Sequence, residues 1–190
     1  VQRVYIHEDI VKDFLNIFKD SASQLSVGDP TQIETDVGPL IRDAEVTRID
    51  SWVKEAIEQG AELICGGTKL GNQCYAPTIL LNPSTESNVS QKEIFGPVVC
   101  VYTYSSLDKA IERANSLPFS FQAAVFTAEL ETAMYCYKHL NASAVMVNDH
   151  SAFRIDNMPF AGLKQSGLGV GGIKHTIRDM QIEKMLVMSI

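Results

Sequence analysis

The sequence predicts an α/β fold of three layers, in which helices cover both faces of a mostly parallel sheet. From Val98 to Val147, short apolar segments alternate with amphipathic segments in the order strand, helix, strand, helix, strand. Consecutive parallel strands need a crossover, and helices of about 10–15 residues supply it. The composition is that of a globular domain, with 45% hydrophobic and 21% charged residues in 190. A chain of this length can bury a core without disulfides or metals.

The first part of the chain is expected to alternate between strands, helices and one long loop. Arg3–His7 alternates in polarity as a strand does, and apolar residues recur at helical spacing from Ile10 to Phe18. Residues 26–42 contain glycine and proline at intervals and are expected to form a loop. Asp43 is expected to cap a second helix, which Gly60 ends.

The remaining elements follow in the same manner. They are a strand at Ala61–Cys65, a strand at Val98–Tyr104, a helix from Leu107 to Leu117, a strand at Gln122–Phe126, a helix from Leu130 to Leu140, and a strand at Ala144–Val147. A polar, glycine-rich loop from Asp149 to Gly172 comes next, and Met185–Ile190 is expected to be a terminal strand.

The charge balance argues against nucleic acid and membrane partners. The chain has 16 basic and 23 acidic residues, a net charge of −7. Nucleic acids and anionic membranes bind basic surfaces, and the nearest basic cluster, Lys174–Arg178, is interrupted by Thr176 and Ile177. No apolar run approaches the ~20 residues of a spanning helix. The expected partner is therefore a small molecule.

The cysteines predict free thiols in a reducing, cytoplasmic compartment. Cys65, Cys74, Cys100 and Cys136 are widely spaced, without a CxxC pair or a histidine at ligand spacing. The sequence therefore predicts neither a metal site nor a disulfide framework. None of the four lies at a helix start beside a cation that would lower its pKa, so no nucleophile is predicted among them.

Gly167-x-Gly169-x-x-Gly172 matches the dinucleotide-binding fingerprint in spacing alone. That fingerprint needs a buried strand before it and an acidic residue about 20 positions later. The segment Pro159–Ser166 is not a buried strand, and the acidic position would fall beyond Ile190. A loop with positive φ at its glycines is the better interpretation.

Glu93-Ile94-Phe95-Gly96-Pro97 is the stronger candidate for a ligand site. It places a carboxylate, an aromatic ring and a Gly-Pro turn directly before a sheet strand. Glu93 can accept two hydrogen bonds from a ribose diol, and an aromatic ring such as Phe95 can hold a flat group. The alternative is an ordinary turn with an exposed glutamate.

A third candidate is Asn148-Asp149-His150-Ser151-Ala152-Phe153-Arg154, where a strand runs into the long loop. The planar guanidinium of Arg154 suits phosphate or carboxylate, and His150 offers an imidazole in the same loop. The equally weighted alternative is a solvated loop in which Arg154 pairs with Asp156.

Taken together, these segments resemble the C-terminal catalytic domain of the aldehyde dehydrogenase superfamily over essentially all 190 residues. The segments that carry the resemblance are Val1–His7, Asp36–Ile41, Glu93–Val98, Ala124–Thr127, Val147-Asn148 and Pro159–Gly167. Phe153-Arg154, Gly172–Ile177, Met180 and Glu183-Lys184 resemble a narrower group. That group includes the non-phosphorylating glyceraldehyde-3-phosphate, lactaldehyde and phosphonoacetaldehyde dehydrogenases.

The resemblance implies site residues and a cofactor. It implies that Glu93 holds the hydroxyls of the nicotinamide-side ribose of NAD or NADP and that Phe95 packs near the nicotinamide. It implies that Phe153 and Arg154 line the substrate funnel, with Arg154 contacting an anionic group of a small aldehyde. Residues 1–184 would be the catalytic domain, and residues 185–190 a C-terminal strand that joins subunits of a homo-oligomer, a dimer or a tetramer.

The resemblance also implies what lies outside these residues. The nucleophilic cysteine would stand a few residues before Val1, and the general-base glutamate and dinucleotide-binding domain farther upstream. The implied reaction is thiolate attack on the aldehyde, hydride transfer from the thiohemiacetal and hydrolysis of the thioester. The 190 residues alone are therefore expected to be inactive. The alternative is a short pseudoenzyme that binds an intact dehydrogenase subunit, and Glu93-x-Phe95 argues against it, since a scaffold needs no cofactor contact.

Two positions depart from the family pattern. Ser120-Phe121 stands where the family usually has Gly-Leu, and Ala161 stands where it has a second glycine. Alanine at position 161 is expected to be tolerated if its φ is negative.

Overall fold

The computed structural model describes all residues from Val1 to Ile190. The chain divides into two compact units, residues 1–110 and residues 111–190. In chain order the elements are β1 (Arg3–His7), α1 (Val11–Ser23), α2 (Asp43–Glu58), β2 (Glu62–Cys65), β3 (Lys69–Gly71), β4 (Cys74–Tyr75), β5 (Thr78–Leu81), α3 (Asn88–Gln91), β6 (Val98–Tyr104), α4 (Leu107–Asn115), β7 (Phe119–Ser120), β8 (Gln122–Val125), α5 (Leu130–His139), β9 (Ala144–Val147), β10 (Leu163–Lys164) and α6 (Ile173–Asp179). None of the helices combines the length and the apolar character needed to cross a lipid bilayer.

The first unit is built around a four-stranded sheet with the order β1-β6-β5-β2. β1, β6 and β5 are parallel, and β2 is antiparallel to β5. Side chains of β6 alternate between the two faces. Cys100 and Tyr102 pack in the core that contains the apolar face of α2, whereas Val101 packs with residues of α1. The three-layer arrangement and the mostly parallel sheet are therefore confirmed in this unit.

The second unit contains two short pairs of strands. β8 and β9 are parallel, with Gln122 opposite Ala144 and Val125 opposite Val147. β7 and β10 are antiparallel. The predicted alternation from Val98 to Val147 is confirmed, but β6 belongs to a different sheet from β8 and β9. The order of elements does not reveal which strands pair, because strand pairing depends on contacts between residues that are distant in sequence.

Two local predictions about α2 can be compared directly with the structure. The end of α2 at Gly60 is confirmed, since Gly60 has φ +102° and the Ala61 amide donates to the Ala56 carbonyl. The prediction that Asp43 caps α2 was wrong: Asp43 is the first helical residue, and the preceding Arg42 makes no side-chain cap. A carboxylate in the first turn still interacts favourably with the helix dipole.

The terminal segment forms no strand within the chain. Residues 181–190 have no regular structure, and Met185, Leu186 and Val187 are exposed. A β-strand needs hydrogen bonds to a neighbouring strand, and no strand of this chain pairs with these residues. The boundary at residue 185 and the role of this segment between subunits stay predictions.

A buried carboxylate joins α2 to the β3–β4 hairpin. Asp50 is 7% exposed and accepts a hydrogen bond from Lys54 Nζ at 2.9 Å, while Lys69 Nζ lies 3.5 Å away. The Tyr75 hydroxyl lies 3.5 Å from its other oxygen. Burial alone would raise the pKa of Asp50, but the hydrogen bond and charge of Lys54 and the charge of Lys69 outweigh it and lower the pKa. Burial and the neighbouring Asp50 raise the pKa of Tyr75.

Replacing Asp50 with asparagine is expected to lower the free energy of unfolding by about 1–2 kcal/mol near pH 7, because charge-assisted hydrogen bonds to lysine are lost. A carboxyl whose folded pKa is lowered contributes stability above its unfolded pKa of about 3.9, and that contribution is lost as the pH falls through the folded pKa. The difference between the two proteins should therefore shrink as the pH falls below the unfolded pKa. Urea unfolding followed by circular dichroism checks this, with Asp20→Asn on the exposed side of α1 as the control. A difference independent of pH would contradict the ionic role of Asp50.

Candidate functional site

The Glu93–Pro97 loop lies at the amino ends of the parallel strands of the first unit. It connects α3 to β6, the strand between β1 and β5. The Thr78 amide at the start of β5 donates to the Pro97 carbonyl at 2.8 Å. The predicted position directly before a sheet strand is therefore confirmed, and the strand is a central one.

Ile94 anchors this loop. Its side chain is 1% exposed within the core of the first unit. Its amide donates to Gln2 Oε1 at 2.8 Å, and its carbonyl accepts from Arg48 Nη2 at 2.7 Å. Gln2 Nε2 also donates to the Lys92 carbonyl at 2.7 Å, so one side-chain amide holds the loop on both sides of Glu93. Buried peptide groups need such partners where no sheet or helix supplies them.

The anchoring of Ile94 leaves its two neighbours facing solvent. Phe95 is 80% exposed and has φ +49°, an unusual conformation for a residue with a side chain. Glu93 is exposed, and its carboxylate forms no hydrogen bond or ion pair within the chain. The structure thus presents a free carboxylate and a free aromatic ring, two residues apart.

Gly96 holds the loop close to α2. A Cβ at this position would lie 2.3 Å from Cδ1 of Ile49, a fully buried side chain. Packing at this density leaves no room for an added methyl group without moving Ile49. The Gly-Pro turn is therefore needed for close packing as well as for the turn itself.

Arg48 connects the loop to the outer surface of α2. Its guanidinium lies 4.2 Å from the centre of the Trp52 ring, and its Nε donates to Glu45 at 2.6 Å. Hydrogen bonds from Arg48 and Arg42 lower the pKa of Glu45. The Nη1 atom of Arg48 is buried without a hydrogen-bond partner. The sequence prediction missed both Gln2 and Arg48. The spacing of Arg48 and Trp52, four residues apart on one helix, was an available signal for Arg48.

The second candidate loop begins at Asn148, directly after β9. Asn148 has φ +57°, and its side-chain amide makes two hydrogen bonds to one residue at the end of β8. The Thr127 amide donates to Asn148 Oδ1 at 2.9 Å, and Asn148 Nδ2 donates to the Thr127 carbonyl at 3.0 Å. Asparagine tolerates the left-handed conformation better than most residues. The carboxyl ends of β8 and β9 are therefore joined where the loop departs.

Arg154 lies over an aromatic ring instead of pairing with an acid. Its guanidinium carbon is 4.3 Å from the centre of the Phe160 ring. The alternative with an Arg154–Asp156 pair was wrong, because Arg154 forms no ion pair. Phe153 is 40% exposed, and His150 is an exposed residue of the same loop. Glu93 and Phe95 belong to the first unit, and Phe153 and Arg154 to the second.

The glycine motif is a loop, as predicted. Gly169 and Gly172 have φ of +73° and +110°. Although α6 follows Gly172, it has seven residues, and the preceding β10 is an exposed pair. Ala161 does not have a positive φ, so alanine is accommodated there. No three His, Cys, Asp or Glu side chains come together in a way that would hold a metal ion.

All four cysteines are free, as predicted. Cys74, Cys100 and Cys136 are buried, and Cys65 is half-buried. Burial raises the pKa of Cys65 and of Cys136. A nucleophilic thiol needs the opposite environment, one that lowers its pKa and leaves it accessible.

The chain is similar over almost its whole length to known proteins. The chain is 40% identical over 190 residues to 3-sulfolactaldehyde dehydrogenase of Priestia aryabhattai, covering 100% of this chain and 40% of that protein. The crystal structure of aldehyde dehydrogenase 21 from Physcomitrella patens in complex with the reaction product succinate superposes with a TM-score of 0.91 at 35% identity, covering 95% of this chain and 37% of that one.

A second solved structure has a similar fold. Glyceraldehyde-3-phosphate dehydrogenase GapN from Methanocaldococcus jannaschii, complexed with NADP, superposes with a TM-score of 0.88 at 33% identity. The superposition covers 94% of this chain and 38% of the GapN chain. The chain thus spans about 40% of the length of the relatives it matches.

The chain also matches the family to which these relatives belong. Residues 1–186 match the family described as the aldehyde dehydrogenase family. The match includes the loops that carry Glu93 and Phe95 and those that carry Phe153 and Arg154. The chain belongs to the aldehyde dehydrogenase family.

Proposed function

We propose that this chain is part of a cytoplasmic NAD(P)-dependent aldehyde dehydrogenase, which oxidises a small anionic aldehyde to the carboxylate through a cysteine thioester. The observation that carries the proposal is the clamped loop at Ile94, which exposes Glu93 and Phe95 side by side without partners in the chain. A structural scaffold gains nothing from a strained, exposed phenylalanine beside a free carboxylate.

The Glu93–Phe95 loop fits the nicotinamide half of a dinucleotide. An unpaired carboxylate accepts two hydrogen bonds from the vicinal hydroxyls of a ribose. The exposed ring of Phe95 offers an apolar face for a planar group. When bound, NAD or NADP supplies the hydride acceptor for aldehyde oxidation. Glu93 and Phe95 would hold its ribose and ring, and the choice between the two dinucleotides would be made outside residues 1–190.

The Phe153–Arg154 loop fits the anionic end of the substrate. The Arg154 guanidinium is exposed and unpaired, so its N–H donors are available to a sulfonate, phosphate or carboxylate. The names of three relatives support an anionic substrate: one is named for 3-sulfolactaldehyde, one for glyceraldehyde-3-phosphate, and one was solved with succinate. Each of these compounds bears an anionic group.

The whole enzyme is proposed to be a homo-oligomer, a dimer or a tetramer, in which residues 185–190 pair with a second subunit. The exposed apolar side chains of Met185, Leu186 and Val187 support this proposal. Backbone groups in an extended terminal segment find their hydrogen-bond partners by adding to a sheet edge of another subunit.

The 190-residue chain alone is expected to show no oxidation of any aldehyde with NAD or NADP, whereas the full-length enzyme is expected to be active. The reason is that its four thiols are buried or half-buried, and burial raises the pKa of two of them. Formation of reduced dinucleotide, followed by absorbance, checks both proteins. Turnover by the chain alone would contradict the proposed upstream nucleophile. An inactive full-length protein would favour the pseudoenzyme that binds a dehydrogenase subunit.

Replacing Glu93 with glutamine in the full-length enzyme is expected to weaken binding of the reduced dinucleotide about tenfold. Hydrogen bonds to a charged group are each worth about 1.5–3 kcal/mol, and the neutral amide keeps only part of that energy. The dissociation constant is measured by equilibrium titration, with Glu58→Gln on the exposed face of α2 as a matched control. Equal affinities in the two variants would exclude Glu93 from the cofactor site.

Replacing Arg154 with alanine in the full-length enzyme is expected to raise KM for an anionic aldehyde tens-fold and to leave KM for a neutral analogue unchanged. The lost contact is a charge-assisted hydrogen bond worth about 1.5–3 kcal/mol. Arg178→Ala, which removes another exposed arginine of the second unit, is the control. An equal loss for both aldehydes would mean that Arg154 is structural.

A further inference from the structure

Three side chains of the second unit, two aromatic and one cationic, form a cluster, which we name the Arg154 platform: Phe121, Phe160 and Arg154. The Phe121 and Phe160 ring centres are 4.7 Å apart with the planes at 78°. The Arg154 guanidinium carbon lies 4.3 Å from the centre of the Phe160 ring. Edge-to-face contact between aromatic rings and a cation over a ring face are both attractive.

The two rings are held from different directions. Phe160 is fixed through its backbone, because its amide and carbonyl exchange two hydrogen bonds with Gly171, at 3.0 and 2.7 Å. Phe121 lies between β7 and β8, and its carbonyl accepts from both the amide and the hydroxyl of Ser143. Phe121 is half-buried, whereas Phe160 is 43% exposed. The inner ring is thus anchored by the sheet, and the outer ring takes its orientation from the inner one.

The platform restricts an arginine that has no other partner. A long, exposed arginine samples many rotamers, and holding it in one of them has an entropic cost. A ring beneath the guanidinium restricts it while leaving its N–H groups free at the edge. An acidic partner would restrict it too, but would also occupy those donors and repel an anionic ligand.

We propose that Phe121 is a positioning residue for Arg154, and that through Phe160 it sets the selectivity of this site for anionic aldehydes. The inference rests on the proposed function, since it assigns Phe121 a part in the selectivity proposed for Arg154. Phe121 contacts the Phe160 ring edge to face and would act on Arg154 only through that ring. It also gives a physical role to the position where the sequence has Phe121 instead of leucine.

Phe121→Leu in the full-length enzyme is expected to raise KM for an anionic aldehyde about two- to fivefold, the range that corresponds to an exposed cation–π contact. The kcat for that aldehyde and both constants for a neutral analogue should be unchanged. Phe121→Tyr keeps the ring and should retain wild-type selectivity. Phe126→Leu, at an exposed phenylalanine just after β8, is the matched control.

A double-mutant cycle separates positioning from folding. In an Arg154→Ala background, Phe121→Leu is expected to have no further effect on KM for the anionic aldehyde, because the positioned group is absent. An equal effect in both backgrounds, or an equal loss for anionic and neutral aldehydes, would overturn the proposal and make Phe121 a packing residue only.

A second readout does not depend on turnover and keeps the two proposals distinguishable. Phenylglyoxal modifies accessible guanidinium groups, and peptide mass spectrometry gives the rate at Arg154. Phe121→Leu should increase that rate relative to the wild type and to Phe126→Leu. If Arg154→Ala leaves anion selectivity unchanged, the anion-binding role fails, while the labelling rate still tests the platform. An unchanged rate in Phe121→Leu would overturn the platform itself.

Discussion

The architecture of the Glu93–Pro97 loop depends on one constraint, the satisfaction of the Ile94 peptide groups in a position where no helix or strand can supply partners. The burial of Ile94 draws the backbone into the core, and its amide and carbonyl must then find hydrogen bonds there. Gln2, directly before β1, and Arg48, in α2, supply them. Glu93 and Phe95, on either side of the buried Ile94, face solvent, and Phe95 does so with a left-handed backbone at φ +49°. Loss of either the Gln2 acceptor or the Arg48 donor would leave a buried polar group of Ile94 unpaired, which is costly.

The loop that begins at Asn148 is also held by a side chain that binds backbone groups. One side-chain amide, that of Asn148, imitates a peptide group and pairs with both backbone groups of Thr127. The left-handed backbone at Asn148 then sends the chain away from the sheet toward Arg154. In both units, the start of the exposed loop is held by hydrogen bonds from side chains to backbone groups and not by regular secondary structure. A loop acquires a fixed geometry when it joins a rigid strand and its backbone is also held by such side-chain hydrogen bonds.

The sequence predicted what depends on local periodicity and missed what depends on distant contacts. The strands β6 and β9 were predicted to the residue, because their apolar runs are bounded by polar turns. Glu93 and Phe95 were predicted as site residues from their position before a strand, and the structure shows that position and their exposure. Gln2 was missed because its partner Ile94 is 92 positions away, and nothing local in Gln2 indicates that contact. The platform beneath Arg154 was missed for the same reason: Phe121 is visible as a departure from the family pattern, but its neighbour Phe160 is known only from the fold.

The burial of the four cysteines has a consequence for chemical labelling of the native protein. Alkylating reagents react with the thiolate, and the thiols of this chain are shielded, with a raised pKa at Cys65 and Cys136. At neutral pH they should react slowly while the fold is intact. If a larger protein that contains this chain incorporates an alkylating label rapidly, the number of labels should therefore equal the number of reactive thiols outside these residues. The four cysteines of this chain should become labelled only after denaturation.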